Sequence, residues 1–484
     1  MSKMTARRVL VIGLWVALFV MAARPISDPD LWWHLATGRY IVQTRSIPHH
    51  DVFSFTVPDH KWITHEWLTQ VGMIGLYNLG GLSALLLTTC VIVTWSFFIV
   101  YIQCEARPHL AVFAVLTGAL ASAVTWGPRP QMLNMLLTAL LLYLLRRVRV
   151  EKRPLWWAFP LLIALWVNLH SGYFLGYVVI GAVLVGDGLA HWLDLRTADT
   201  LDRRGLRNLA LALGATVIAA LFNPNGFKML WYPFETLGSK AMQEYIQEWA
   251  PPDFNRPEYW PTLALLFGGT LALTWSHRKR DLSDVLLFLG FGFMALLSAR
   301  HIPLFAVVAT PILTRYAAQI ELGRLHWDLC RLPPVRPPRG VWIAVNWLLV
   351  LLFFVAGALR LTNVLLENRD AEARRFPVHA LAFIEQMGWG ERRMYNSYNW
   401  GGYLLWRGYR VFIDGRADVY LDDFMNEYVL AYQLRGDWRV PLDRFAVEYI
   451  LIERDASLAT LLTESDEWTQ VYEDELAAIW VRSH

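Results

Sequence analysis

Val9-Leu-Val-Ile-Gly-Leu-Trp-Val-Ala-Leu-Phe-Val-Met-Ala-Ala23 is an unbroken apolar run, and just beyond it the chain reads Asp28-Pro-Asp-Leu-Trp-Trp-His34. The run decides the fold class, because similar runs recur to the end of the first three quarters of the sequence. Apolar stretches of this kind, long enough to cross a bilayer as helices, predict a polytopic α-helical membrane protein. The heptapeptide then falls where a helix leaves the membrane. Carboxylates at that depth are costly and by default suggest a functional site. Indoles there anchor to the interface or offer flat faces to a ligand.

The composition agrees. Of 484 residues 55% are hydrophobic and 18% charged, with a mean hydropathy of +0.32, which excludes a soluble domain of this length. The formal net charge of +3 is small. Its basic residues sit in loops flanking apolar runs rather than in a basic module, so nucleic acid is not expected as a partner, whereas membrane lipids are. Cys90, Cys104 and Cys330 fall in a span or on the predicted cytoplasmic side, so no external disulfide is expected, as suits a bacterial inner membrane protein. The start, with Lys3, Arg7 and Arg8 before the first run and Val20-Met-Ala-Ala23 at its end, has the features of a signal peptide. We read it as a retained span.

Hydropathy places about eleven spans, near 8–24, 82–104, 109–126, 131–146, 155–170, 172–191, 208–222, 260–276, 284–299, 302–317 and 341–361. Loop charge orients them. Arg146, Arg147, Arg149, Lys152 and Arg153 share one loop, Arg196, Arg203, Arg204 and Arg207 a second, and Arg278, Lys279 and Arg280 a third. Arg315, Arg324, Arg331, Arg336 and Arg339 share a fourth, and with eleven alternating spans all four join the N-terminus on one face. By the positive-inside rule that face is cytoplasmic. The expected division is a transmembrane domain over 1–361, including an external loop at 25–81, and a soluble α/β domain over 362–484.

Within the external loop, Leu31–Val42 reads as an amphipathic helix capped by Ser27 or Asp28 with Pro29 early in it. A second short helix, Glu66–Leu79, ends at Gly80-Gly81. Another external segment, 223–259, opens on the turn signal Asn223-Pro-Asn-Gly226 and runs through polar and aromatic residues to Trp249. Past 362 the apolar runs shorten. Arg392–Asn396, Arg410–Ile413, Tyr449–Glu453, Gln470–Glu473 and Ala477–Val481 read as strands, with helices near 376–387, 400–407, 422–434 and 456–463.

Several residues carry candidate chemistry. Of Asp28 and Asp30, one could accept a proton from an acceptor hydroxyl while the other orients or binds a metal; each could equally be a helix cap. Trp33 and His34 follow directly. His65-Glu66-Trp67 begins like a zinc-protease helix but lacks the second histidine. Glu66 then joins the acid pair or caps the next helix. Histidines 34, 49, 50 and 60 have no regular ligand spacing, so a loosely held Mg²⁺ or Mn²⁺ on the oxygens of Asp28 and Glu66 suits the loop better than zinc. Arg129, Asn168, His170, Arg300 and His301 mark span ends on the same outer face. They could bind a phosphate at headgroup level, or snorkel and satisfy broken helix ends. Tyr395–Tyr403 and Phe412–Asp418 are dense in polar and aromatic groups; Gly401-Gly402 permits close backbone approach by a ligand, or the two stretches form a tightly turned docking core.

Asp30-Leu-Trp-Trp-His34-Leu35 is similar to the Asp-x-x-x-His-Leu pattern in the first external loop of oligosaccharyltransferase catalytic subunits. The order of parts, one span, an Asp-bearing loop, many spans and an extracytoplasmic C-terminal domain, resembles the GT-C class of polyprenyl-phosphate-sugar-dependent membrane glycosyltransferases. Asp28–Leu35, Asp51–Thr56, His65–Leu68, Leu165–His170 and Asn396–Tyr420 resemble a bacterial group of such proteins. The resemblance implies transfer of a hexosyl or pentosyl unit from a polyprenyl-phosphate donor to an extracytoplasmic lipid, glycan or protein acceptor. It implies Asp30 or Asp28 as base or metal ligand, with Glu66 assisting. The Trp-Trp-Asp motif of the oligosaccharyltransferases is missing from the sequence, which argues against sequon recognition. A polyprenyl-linked glycan flippase, and a non-catalytic glycan-binding scaffold, are the alternatives; a flippase would want charges in mid-span, and few spans carry any.

Overall fold

Each of the eleven apolar stretches is helical, because a bilayer offers no partner for backbone N–H and C=O groups and only a helix satisfies them within one segment. The computed structural model describes residues 4–58, 60–320 and 340–483. Lys3, Arg324, Cys330, Arg331, Arg336 and Arg339 lie outside these. Five helical segments are long and apolar enough to cross a membrane: Trp67–Gln103, Pro108–Thr125, Ser171–Trp192, Arg203–Phe222 and Gly340–Asn368. The chain is a multi-pass membrane protein.

Its contacts divide into two units. The first comprises Met1–Arg24, Leu86–Pro233 and Gln247–Val364; the second comprises Pro25–Leu85, Phe234–Ile246 and Leu365–His484. The external loop is thus grouped with the C-terminal region.

The first unit is built from α1 (Ala6–Ala22), most of α3 (Trp67–Gln103), α4 (Pro108–Ser122), α5 (Met132–Arg149), α6 (Ala158–Leu169), α7 (Phe174–Trp192), α8 (Arg203–Ala219), α11 (Trp260–Trp275), α12 (Leu282–Leu297), α13 (Ile302–Ala317) and the first part of α14 (Gly340–Arg375). Helix α13 is its axis. Nearly every residue of it is buried, and α4, α5, α11 and α12 all pack on it. At one end of this bundle charged groups are paired rather than solvated. Arg149 meets Asp187 at 2.5 Å and Asp281 at 3.0 Å, and Arg315 meets Asp284 at 2.7 Å. Glu105 receives Arg146, Arg278 and Arg315 at 3.2, 2.8 and 3.2 Å. The network ties α5, α7, α12 and α13 to the α3–α4 link, and each charge has a partner, as buried charges require.

The second unit starts with α2 (Asp30–Thr44), which the sequence placed over Leu31–Val42. Its cap is the expected Asp28, whose Oδ1 accepts the Asp30 amide at 3.0 Å. The short helix expected to end at Gly80-Gly81 is the start of α3, interrupted there: Gly81 has φ +59°, a conformation that strains any L side chain. Beyond α9 (Lys228–Gly238) and α10 (Lys240–Tyr245), the C-terminal part alternates α15 (Val378–Gln386), β1 (Met394–Asn396), α16 (Tyr398–Arg407), α17 (Ala417–Tyr432), α18 (Arg439–Arg444), β2 (Tyr449–Glu453), α19 (Ser457–Glu464), β3 (Trp468–Glu473) and β4 (Ala477–Arg482). The sheet order is β1-β2-β4-β3. β1 and β2 are parallel, joined through α16–α18, and the other pairs are antiparallel.

Four of the five expected strands form this sheet. Arg410–Ile413 does not join it, because its backbone bonds go elsewhere. Phe55 donates to the Val411 carbonyl at 3.2 Å, and the Phe412 amide goes to Asn396 Oδ1 at 2.8 Å. The segment pairs with the loop at 53–56.

One ionic cluster fastens this pairing. Arg416 donates to both oxygens of Asp414, from Nε at 2.8 Å and Nη2 at 2.7 Å, and from Nη1 to Asp51 at 2.7 Å. All three side chains are inaccessible to solvent. The second oxygen of Asp51 accepts the Ser54 amide at 2.9 Å, and Tyr420 donates to Asp414 at 2.7 Å. Phe53 and Trp62 enclose the guanidinium at 5.0 and 4.7 Å. A planar five-donor cation fits this double fork and an ammonium does not. Replacing Arg416 by Met strands two buried carboxylates, and the expected cost is ~3–5 kcal/mol. Chemical denaturation of the purified protein, followed by Trp fluorescence, measures it; Arg416→Lys should recover only part.

Candidate active site

In the second unit the acid pair sits at the N-terminus of α2. Asp28 caps the helix, and the Trp33 indole N–H donates to Asp30 Oδ1 at 3.1 Å. Trp33 therefore orients the carboxylate of Asp30 from the next turn of its own helix. Gly415 closes on this pair: a Cβ there would lie 3.0 Å from the Trp33 Nε1 and closer still to the Asp30 carboxylate. A Cβ on Gly402 would likewise lie 2.8 Å from the Pro29 carbonyl oxygen. The close approach that Gly401-Gly402 allows is thus used by the chain's own backbone. Trp32 is no interface anchor. It is 1% exposed and packs edge-on against Phe376 and Tyr403 at 5.6 and 5.1 Å.

His34, His65 and Glu66 come together, where the sequence had Glu66 joining Asp28 and Asp30 or capping the next helix. Glu66 Oε2 lies 3.5 Å from His34 Nδ1 and Oε1 3.3 Å from His65 Nε2. Gln70, one turn along α3, reaches His34 Nδ1 at 3.3 Å, and the rings of Trp33 and His34 are 3.6 Å apart. Both nitrogens of His65 face acceptors, since Nδ1 donates to the Ile63 carbonyl at 3.0 Å. Only the imidazolium can donate from both. Burial works against that form, but the Glu66 carboxylate, its hydrogen bond and the more distant charge of Asp418 outweigh it and raise the His65 pKa above its ordinary 6.5.

Asp28 and Glu66 do not fit a divalent cation as they stand. Each Glu66 oxygen already faces an imidazole nitrogen, and Asp28 serves the helix cap. Among the described residues no three His, Cys, Asp or Glu side chains are grouped to hold a metal ion.

In the first unit, Arg129 and Arg300 converge on a residue the sequence reading passed over. Arg129 Nη2 meets Glu248 at 2.5 Å, and the Arg300 guanidinium lies over the Trp249 ring at 4.3 Å. Burial opposes ionisation of Glu248, but Arg129 and Arg300 prevail and hold its carboxyl below the usual range. Next to them, burial and the charge of Arg300 push His301 down to about 4. Its buried Nδ1 has no hydrogen-bond partner among the described residues. Asn168 and His170 instead complete the α6–α7 turn. Asn168 donates to the Ala164 and Phe222 carbonyls at 2.8 and 3.1 Å, and His170 Nδ1 accepts the Gly172 amide at 2.8 Å.

The signal for Glu248 was present in the sequence, as the acid in Gln247-Glu248-Trp249 of an external segment, but nothing local pointed it at Arg129, 119 positions earlier.

No protein-family model and no curated protein sequence matches the chain. Its fold, however, is that of known membrane proteins. ArnT from Cupriavidus metallidurans, solved bound to undecaprenyl phosphate, superposes over 98% of this chain and 97% of its own, with a TM-score of 0.51 and 15% identity. The archaeal oligosaccharyltransferase AglB from Archaeoglobus fulgidus, solved with an inhibitory peptide and a dolichol-phosphate, superposes over 98% of this chain and 74% of its own, with a TM-score of 0.55 and 12% identity. The fold is the GT-C fold implied by the resemblance in the sequence.

The raised pKa of His65 has a consequence for stability. Its pairing with Glu66 is fully present below the unfolded-state value near 6.5 and is lost as pH rises through the higher folded value. Resistance of the wild type to thermal unfolding should therefore fall as pH rises from about 6, and His65→Gln should flatten that slope. Parallel slopes would mean that His65 stays neutral throughout.

Proposed function

We propose that the protein is an integral membrane glycosyltransferase that moves a hexosyl or pentosyl unit from a polyprenyl-phosphate donor to a lipid, glycan or protein acceptor on the extracytoplasmic face. The observation that carries this reading is an acid, Asp30, held at a helix N-terminus by an indole donor in a chain with the GT-C fold. Asp30 takes the proton of the acceptor hydroxyl while that oxygen bonds to the anomeric carbon. The bond from the anomeric carbon to phosphate breaks, and the polyprenyl phosphate leaves. Trp33 orients the base without neutralising it, as one neutral donor does.

Asp28 sets the turn from which Asp30 projects. Glu66, shared by His34 and His65, positions His34 beside Trp33 as a wall for the sugar. Arg129 and Arg300 meet the leaving phosphate, where charge develops and a fixed cation helps most. Glu248 holds Arg129 until the anion arrives, and His301 offers a neutral hydrogen-bonding edge. Asn168 and His170 support the site through the α6–α7 turn. The N-terminus is cytoplasmic and the enzyme lies in a bacterial plasma membrane. The missing sequon-reading motif favours transfer of a single sugar.

Asp30→Asn should reduce transfer from a polyprenyl-phosphate sugar by ~100-fold or more, the scale of general-base loss. Folding should be unchanged, because Asn suits a helix start nearly as well as Asp. Full activity with Asp28 and Asp30 both replaced by Asn would remove this site from consideration.

The arginines separate in the same assay. A guanidinium grips phosphate through two parallel bonds, so Arg129→Lys or Arg300→Lys should slow turnover and the Ala variants slow it further. Wild-type rates in both Lys variants would place the phosphate elsewhere.

A further inference from the structure

Helix α8 and the start of α9 carry an exposed apolar band that the chemistry above leaves unused. Arg203–Phe222 is long and apolar enough to cross a membrane, and its basic start, Arg203, Arg204 and Arg207, sets Phe222 at the opposite end. Leu211, Ile218 and Phe222 are 67%, 64% and 74% exposed. Spacings of seven and four residues put them in one stripe, while Leu209, Ala212, Thr216 and Ala219 are buried on another face. An exposed apolar stripe on a spanning helix of a multi-pass membrane protein meets hydrocarbon.

The stripe does not stop where α8 does. Phe227 and Trp231, in the segment expected to be external, are 73% and 68% exposed. The link to them is compact. Asn223 accepts the Gly226 amide at 2.8 Å, Asn225 that of Lys228 at 3.2 Å and Gly226 that of Met229 at 3.1 Å. A turn of this kind brings its ends within about 7 Å, so Phe227 stays near the level at which α8 ends. The roll of α9 is fixed as well. Pro233 has no N–H to offer the Met229 carbonyl one helical turn back, and the Tyr173 hydroxyl donates to that carbonyl instead. The Asn223 amide ties the turn to the Val167 carbonyl at 2.8 Å. Met229, Tyr232 and Pro233 are buried, which leaves Phe227 and Trp231, four residues apart, on the outer side.

Aromatic rings at this level have a physical home. They prefer the boundary between headgroups and acyl chains, where the ring is buried and an indole N–H stays wet. Lys228, exposed beside them, suits the same level, with its stem on the apolar side and its ammonium in water. We propose that the start of α9 is an interfacial helix, which lies on the leaflet at the Phe222 end of α8 and inserts Phe227 and Trp231 at headgroup level. Its partner is the bilayer surface. The inference concerns attachment alone and stands whether or not sugar transfer follows.

The full-length protein in phosphatidylcholine nanodiscs can be cross-linked to two photoreactive phosphatidylcholines. One carries its diazirine next to the headgroup, the other at the end of an acyl chain, and mass spectrometry maps the labelled peptides. The headgroup-level probe should label Phe227–Trp231. The chain-end probe should label α8 around Leu211 and spare Phe227–Trp231. Phe227→Ser with Trp231→Ser should reduce headgroup-level labelling of the segment by about tenfold or more, the partition lost with two large apolar side chains. The map of the wild type decides the matter even if that double variant fails to fold. Equal labelling of Phe227–Trp231 by both probes would overturn the proposal, since the helix would then be sunk in hydrocarbon. So would labelling by neither, with Trp231 oxidised by hydroxyl radicals generated in the water. Cross-linking of the segment to a second copy of the chain in place of lipid would overturn it too. Loss of transfer in Asp30→Asn leaves all these outcomes unaltered, so the two readings fail separately.

Discussion

The second unit depends on the buried guanidinium of Arg416. It holds Asp414 with a two-pronged fork and Asp51 with a third bond, in a place water does not reach. Charges buried in this way rarely add much net stability, but they are unforgiving of error. The loop that carries Asp51 cannot slide against the C-terminal part without breaking an ion pair in a dry environment. Register follows: with Asp51 fixed, Phe53–Thr56 lies along Val411–Phe412, and with Asp414 fixed, Gly415 is set against Asp30 and Trp33. The candidate base thus owes its surroundings to a cluster built from Asp51 of its own loop and from Asp414 and Arg416 of the C-terminal part.

Much of this architecture was legible in the sequence. Apolar runs gave every long helix, since hydropathy is a local signal and the bilayer enforces helix. Asp28 as cap, the glycine break at 80–81 and four of the strands were equally local. What escaped reading was the choice of partner. Arg410–Ile413 has the pattern of a strand, yet it pairs with the loop around Ser54, where Thr56 bonds to Phe412 from 356 positions away, a choice made by Arg416 and Asn396 rather than by its own composition. Trp32 and Trp33 are adjacent and alike, but successive helix positions face different ways. One is core against Tyr403 and the other touches Asp30.

The candidate site shows the same division. Asp28, Asp30, Trp33, His34, His65 and Glu66 lie in two short segments whose residue types announced chemistry. The sequence could not show that Glu66 is shared by two imidazoles, because that needs α2 and the start of α3 side by side. Nor could it show that Glu248 meets Arg129, since an acid in a long external segment has no preferred cation until the chain folds. Carboxylates that looked available for a metal turned out to be engaged with imidazoles and a backbone amide.

The ion network around Glu105 bears on how the chain enters its membrane. Arg146, Arg278 and Arg315 all end on that one carboxylate, and Arg149 on Asp187 and Asp281. During insertion the helices are not yet assembled, and each arginine acts as an unpaired charge that resists translocation; acidic residues weigh little in that decision. After assembly the same side chains are neutralised in pairs. On the topology the positive-inside rule predicts, one set of residues then serves in succession as a topological signal and as an ionic clasp between helices.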